Sequence, residues 1–412
     1  ELWETFFAPV EPLLVGVRRL VFVRSSPLHG LALETLVDAA GEPLGERYSV
    51  TYAPSCTVYA TLRERRLEEG SSIRACVRGA FAHGATPGGG GRRAGGAAGP
   101  ALSGVPALLV GDPSYNEAQL AEMFRKESSS GRPRRGASAD EWVVSPWIRG
   151  GIVGGALRGD RRCLDSLPRL PGTRDEVEQA RALIPGAMVL LGPDATRETL
   201  ESMSRRDVLS RFKLIHLGTH ALIDPWAPER CALVLSRTPR DRAAQGIQRR
   251  AKIERGGRDG IERASSMDAP EADDFPAGPR DGHLDDGLVR LDEVVRTWRL
   301  NADIVILSGC RTALGREGWE GVVEGFPSAL LVAGARSVLV SLWPVEDRSA
   351  CLLLGRFYRN LYGRDAQAQG QPLEAGEALQ EAKHWLRTLQ DEQGHRPFAH
   401  PAYWGAYVLV GA

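Results

Sequence analysis

Lysine is nearly missing from this sequence: only Lys126, Lys213, Lys252 and Lys383 stand among its 52 Lys+Arg residues. Arginine supplies the rest in every part of the chain, which reads as genome composition and not as a binding patch. Net charge is missing too, since 52 Asp+Glu balance the basic residues over 412 positions. Adhesion to nucleic acid or to an anionic membrane surface needs a basic surplus, so neither is expected as a partner. No apolar run reaches the roughly 20 residues of a membrane span. The nearest, Phe326 to Val345, is interrupted by Pro327, Gly334 and Arg336. There is no basic-then-apolar leader, and the start at Glu1 reads as that of a piece cut from a longer protein. The six cysteines include no C-x-x-C pair, which excludes a zinc module and a disulfide scaffold and fits reduced thiols in the cytoplasm. Also absent are G-x-S-x-G, G-x-x-x-x-G-K, H-E-x-x-H and a strand-coupled G-x-G-x-x-G, so no cofactor or metal is expected.

What is present is an ordinary globular composition, 42% hydrophobic and 25% charged, at a length of two to three common domains or one large one. Short apolar runs recur at Leu20–Val23, Ala107–Val110, Phe212–Leu217, Ala302–Leu307, Ser337–Leu342 and Tyr407–Val410. They are rich in Val, Ile and Leu and do not alternate, as expected of strands covered on both faces in a parallel sheet. Helical patterns fall between them at Arg174–Leu183 after the cap-like Thr173, Ala195–Met203, Val323–Ala333, Ser349–Leu361 and Leu373–Leu389. Strands alternating with helices predict an α/β sandwich. Leu44–Ser55 reads as an additional hairpin or edge pair. Two segments break the pattern: the Gly/Ala/Pro run at 84–104, and 237–286, which is polar, Arg-rich and then acidic, and reads as a disordered insertion.

Chemistry in an open parallel sheet collects at the carboxyl ends of strands. Phe212–Leu217 runs into Gly218-Thr219-His220, and Ala302–Leu307 runs into Ser308-Gly309-Cys310. One strand thus delivers a His and another a Cys to the same sheet edge. Such a pair can form a thiolate–imidazolium dyad, although a lone strand-end Cys or His is more often structural. Gly309 leaves room for a substrate backbone, and an amide at this turn can serve as an oxyanion donor.

The segments His216-Leu-Gly-Thr-His220-Ala and Ile306-Leu-Ser-Gly-Cys310-Arg-Thr-Ala-Leu-Gly315 resemble the two signature segments of the CHAT domain, a caspase-like cysteine peptidase domain related to separase. The likeness continues through Gly318–Phe326, Leu331–Asp347 and His400–Gly411, and upstream through Tyr48–Ser55, Leu108–Pro113 and Leu170–Glu178. It implies a caspase-like three-layer sandwich with a mainly parallel sheet of about six strands. Residues 1–165 would then be a non-catalytic caspase-like half, and residues 166–412 a catalytic half carrying the 237–286 insertion. The catalytic pair of the family maps onto His220 and Cys310. They lie 90 residues apart, and an insertion of about 50 residues accounts for the excess over a caspase-like spacing. Two positions depart from the family pattern. Ala221 stands where Gly is usual and, unlike Gly, resists φ > 0, and Gly309 stands where Ala is usual. Backbone N–H groups at Gly309 and Ala221 are the oxyanion candidates.

The remaining residues are read as follows. His216 lies within its strand, so H-x-x-x-H is no helical metal pair. Cys56, Cys76, Cys163, Cys231 and Cys351 read as inert fillers, Trp319 and Trp343 as core, and Asp224 as a weak candidate to orient His220. Glu346 and Asp347 follow a strand end, where they either select a basic P1 side chain or cap the next helix. The expected function is a cysteine endopeptidase acting on a protein substrate, the effector part of a larger regulated protein with an N-terminal repeat region. The alternative is a catalytically silent CHAT scaffold or switch module.

Overall fold

Five of the six apolar runs fold as their lack of alternation predicts, because neighbouring side chains enter two different cores. Leu20–Val23 instead lies at the sheet edge, with only one face packed on a core and Val23 exposed. The computed structural model describes residues 2–23, 30–69, 106–115, 164–184, 186–223, 231–237, 287–309, 316–317, 323–363 and 371–412. The main sheet is built from β1 (Arg19–Val23), β2 (Ser49–Ala53), β3 (Ala107–Gly111), β4 (Met188–Leu191), β5 (Leu214–Gly218), β6 (Ile304–Leu307), β7 (Ser337–Ser341) and β8 (Tyr407–Gly411). Across the sheet their order is β1-β2-β8-β7-β6-β5-β3-β4. Every pairing is parallel except β7 with β8. The sheet is therefore a block of three strands and a block of five, pointing in opposite directions.

Helices cover both faces: α1 (Cys56–Glu69), α2 (Pro171–Leu183), α3 (Arg197–Arg205), α4 (Leu291–Thr297), α5 (Phe326–Ala333), α6 (Asp347–Leu361) and α7 (Ala375–Thr388). Leu109, Leu214, Ile306 and Leu339 pack with α2, α6 and α7 in one core. Leu108, Ile215, Val305 and Val338 pack with α3, α4 and α5 in the other. Each fully buried aliphatic side chain contributes roughly 1.5–3 kcal/mol, so covering both faces doubles what a strand of this length can contribute. The caspase-like α/β sandwich expected from the sequence is the observed architecture.

Eight strands stand where about six were counted. Tyr48–Ala53 alternates as read, but it is an inner strand, parallel to both neighbours, and not half of a hairpin. Its polar Ser49 and Thr51 meet the helix α7 backbone, where a Cβ on Gly376 would lie 2.7 Å from Ser49 Oγ. Residues 44–47 are a single helical turn. The other missed strand, β4, is a four-residue edge strand.

Helix boundaries also shift. Helix α2 starts at Pro171, whose fixed φ suits a first helical turn, and not at Arg174 behind a Thr173 cap. Helix α3 starts at Arg197, with Thr196 Oγ1 accepting from the Thr199 amide at 3.1 Å. Helix α5 ends at Gly334, at φ +118°, where any Cβ would strike the Leu300 carbonyl. The segments read at 84–104 and 237–286 lie outside the described residues, except for Arg237, which is held by the Tyr115 carbonyl and Asp165. No helix among the described residues is long and apolar enough to cross a membrane.

Candidate active site

The five-strand block aligns its carboxyl ends. Gly111 of β3 is paired with Gly218 of β5, and Leu217 of β5 with Leu307 of β6. This register brings Asp112, His220 and Gly309 to one edge, with Glu346 and Asp347 following β7 there. The paired glycines leave a notch for the start of α2. A Cβ on Gly111 would lie 2.8 Å from the Thr173 carbonyl oxygen, and one on Gly218 would lie 2.7 Å from Thr173 Cβ.

Beyond Gly218 the chain bends at Thr219, whose hydroxyl donates to the Val234 carbonyl. It then re-enters a small antiparallel sheet of His220–Leu222, Ala232–Val234 and Leu288–Arg290. His220 sits partly buried on the first of these strands, opposite Val234. Its Nε2 lies 2.7 Å from the Pro168 carbonyl oxygen. A carbonyl can only accept, so Nε2 carries the hydrogen and Nδ1 is the basic nitrogen of the neutral ring. The Tyr115 ring packs against the imidazole, with centroids 5.2 Å apart. Burial lowers the His220 pKa below its ordinary value, partly offset by the Pro168 carbonyl. Burial likewise raises the Tyr115 phenol well above its ordinary range and keeps it uncharged.

Strand β6 reaches the same edge. The Ser308 amide donates to the Leu217 carbonyl at 3.0 Å, and Ser341 Oγ holds the Gly309 carbonyl at 2.6 Å. Cys310, Asp224, Trp319, Cys76 and Cys163 lie outside the described residues. Ala221 pairs opposite Leu233 in the small sheet, and its φ is not positive, so the backbone adopted here makes no demand for glycine. Glu346 caps α6, its carboxylate accepting from the amides of Arg348 at 3.1 Å and Ser349 at 2.7 Å. That is the capping alternative left open by the sequence. Asp347 abuts Gly172 at the start of α2, and its pKa is raised by burial and by Glu176, Glu346 and Asp175.

Among the other thiols, Cys231 is buried and Cys351 is pushed up to about 12 by burial and nearby acids, whereas Cys56 is exposed and fills no core. Trp343 packs against the core and donates to the Ala402 carbonyl at 3.0 Å. His216 is fully buried, with Nδ1 2.8 Å from the Tyr358 hydroxyl. No group of three potential metal ligands occurs among the described residues.

The sequence reading missed Pro168, Tyr115 and Asp112 as parts of this edge. A backbone carbonyl leaves no signature in residue identity. Asp112 lies inside, and Tyr115 two residues beyond, the segment Leu108–Pro113, singled out only for its likeness.

The sequence model of the CHAT domain matches residues 1–412, the whole chain. The chain belongs to the CHAT domain family. Its caspase-like, peptidase-related character follows from that membership. Curated relatives cover less of it. Tetratricopeptide repeat protein 28 of Mus musculus is 32% identical over 114 residues, 28% of this CHAT domain and 4% of that protein. Tetratricopeptide repeat protein 28 of Homo sapiens is 26% identical over 249 residues, 59% of the CHAT domain and 8% of that protein. In these matches the CHAT domain covers less than a tenth of the length of either relative.

Proposed function

We propose that this CHAT domain is a cysteine endopeptidase with Cys310 as nucleophile and His220 as its base. The observation that carries the reading is the His220 Nε2 bond to the Pro168 carbonyl, which leaves Nδ1 as the basic nitrogen at the edge where β6 ends. A histidine kept only for packing has no need of a fixed tautomer at a strand-end edge. In the proposed reaction the Cys310 thiol gives its proton to His220 Nδ1, and the thiolate sulfur adds to the scissile carbonyl carbon. Backbone amides around Gly309 and Ala221 receive the oxyanion. Collapse breaks the C–N bond, and Nδ1 returns the proton to the departing amine. Water then hydrolyses the thioester, with Nδ1 again taking a proton.

Asp347 is the group proposed to select a basic P1 side chain, because a cation would relieve the crowding of acids around it. Glu346 is committed to its helix cap. A protein substrate, a cytoplasmic setting and control by a repeat region elsewhere in the polypeptide complete the proposal. The repeat region draws support from the name of both relatives.

The test is thiol alkylation followed by mass spectrometry across pH, with exposed Cys56 as the accessible comparison. Cys310 is expected to react about 10-fold or more faster than Cys56 at neutral pH, and His220→Ala to erase the difference. Its acid limb belongs below the ordinary histidine range, since burial disfavours the imidazolium. Equal reactivity of Cys310 and Cys56, unchanged by His220→Ala, would leave the silent scaffold as the reading.

A further inference from the structure

Asp112 follows directly on β3 with its backbone in the left-handed region, φ 48°, and its side chain fully buried. A carboxylate so placed survives only if its oxygens are saturated. Arg169 supplies a fork, with Nε 2.7 Å from Oδ1 and Nη2 2.5 Å from Oδ2. Arg174 Nε adds a third bond to Oδ2 at 2.8 Å. The Asp112 amide donates to Thr173 Oγ1, which in turn donates to the Leu170 carbonyl, both at 2.8 Å. All four partners lie within residues 169–174, immediately after the carbonyl that receives His220 Nε2. One acidic residue thus fastens both the loop and the first turn of α2 to the end of β3.

We propose that Asp112 and Arg169 are positioning residues for His220, a clamp that sets the Pro168 carbonyl where Nε2 must donate and so selects the tautomer with a basic Nδ1. The role assigned to His220 rests on the peptidase reading; the clamp geometry does not. Seating α2 alone does not call for it, because the Gly111–Gly218 notch already receives Thr173 and apolar packing is the less costly way to hold a helix. The clamp also adds what packing does not supply, a fixed direction for a loop carbonyl. A non-glycine residue at positive φ, beside the histidine strand, is a local cost typical of sites where geometry matters. The same β3 extension sets the ring's other neighbour. Tyr115 packs on the imidazole, and its carbonyl accepts from Arg237 at 2.6 Å, while Arg237 also pairs with Asp165. Among the described residues, Tyr115 faces the imidazole directly, and Asp112, Arg169, Arg174, Arg237 and Asp165 are the charged groups that this clamp and the β3 extension bring together.

The clamp is tested by nitrogen NMR of histidine-labelled full chain carrying Cys310→Ala, so that no thiolate shares the proton. His220 is expected to be an Nε2–H tautomer in this background. Adding Asp112→Asn, which keeps size and tolerates positive φ, or Arg169→Ala should give a tautomer mixture and a lower titration midpoint. Arg169→Lys keeps the charge without the fork and should fall between. In protein retaining Cys310, Asp112→Asn should slow Cys310 alkylation about 10-fold at neutral pH. A lower melting temperature with tautomer and midpoint unchanged makes the pair a structural anchor only and overturns the proposal. If Asp112→Asn does not fold, the Arg169 variants decide alone. Failure of the peptidase reading shows separately, as a Cys310 that His220→Ala does not slow, and leaves the tautomer experiment valid.

Discussion

Two buried carboxylates sit in the two blocks of the sheet and do different work. In the five-strand block, Asp112 binds two arginines at a strand's carboxyl end and steadies a loop. In the three-strand block, Glu34 accepts from Lys383 Nζ at 2.5 Å and from the Tyr52 hydroxyl, which itself accepts from the Leu33 amide at 2.8 Å. That second knot joins a helical turn, β2 and α7 in the interior of the fold. Among the described residues, the hydrogen bonds of Glu34 and Lys383 reach no candidate residue. The chemistry of the two pairs is alike, so a buried ion pair alone is no mark of a functional site. What it holds, and at which end of a strand, carries the information.

The comparison breaks most sharply at Lys383. Lys383→Met removes the cation and leaves Glu34 buried without its counter-charge, which should cost about 3–5 kcal/mol in thermal or denaturant unfolding. The His220 tautomer and the Cys310 alkylation rate should not move. A disturbed His220 in that variant would mean that the two blocks are coupled and the contrast is false.

Gly218→Ala is the next largest. Its methyl meets Thr173 Cβ at 2.7 Å, so the start of α2 must shift, at about 1–3 kcal/mol. Here, unlike at Lys383, slower Cys310 alkylation should accompany the lost stability. Loss of stability with an unchanged alkylation rate would uncouple the notch from the site.

Glu293 sharpens the contrast with the smallest effect, since it must share Arg197 with Glu201. Burial lifts its pKa to about 7, with repulsion from Glu201 adding to the rise and Arg197 opposing it. A carboxyl raised in the folded state adds stability that is full below its unfolded value and is lost as pH rises through about 7. Glu293→Gln should therefore gain relative to wild type above about pH 7, by a degree or two in melting temperature, and lose that gain near pH 4. A pH-independent difference would show that Glu293 is ionised throughout.

Much of this was readable from residue order. Non-alternating runs such as Leu214–Leu217 and Ile304–Leu307 announce strands covered on both faces, and their exits announce His220 and Gly309. The motif around His220 also carried the family. What stayed hidden is set by contacts distant in sequence. β2 looks like a hairpin arm because Ser49 and Thr51 are polar, and only the approach of Gly376, more than 300 residues away, explains why. Thr173 looks like a helix cap because threonines often are, yet its hydroxyl serves the Asp112 amide. The Pro168 carbonyl could not be read at all, since every residue has one.

The antiparallel seam between β7 and β8 has a consequence for how the chain assembles. β1 and β2 emerge first in synthesis, yet β2 joins the rest of the sheet only through β8, the last of the eight strands to be made. Until β8 is made, β1 and β2 have no strand through which to join the five-strand block. Such distant pairing is slow to close and vulnerable to aggregation while open. Residues 407–411, made last, are the bridge that ties β1 and β2 to the five-strand block.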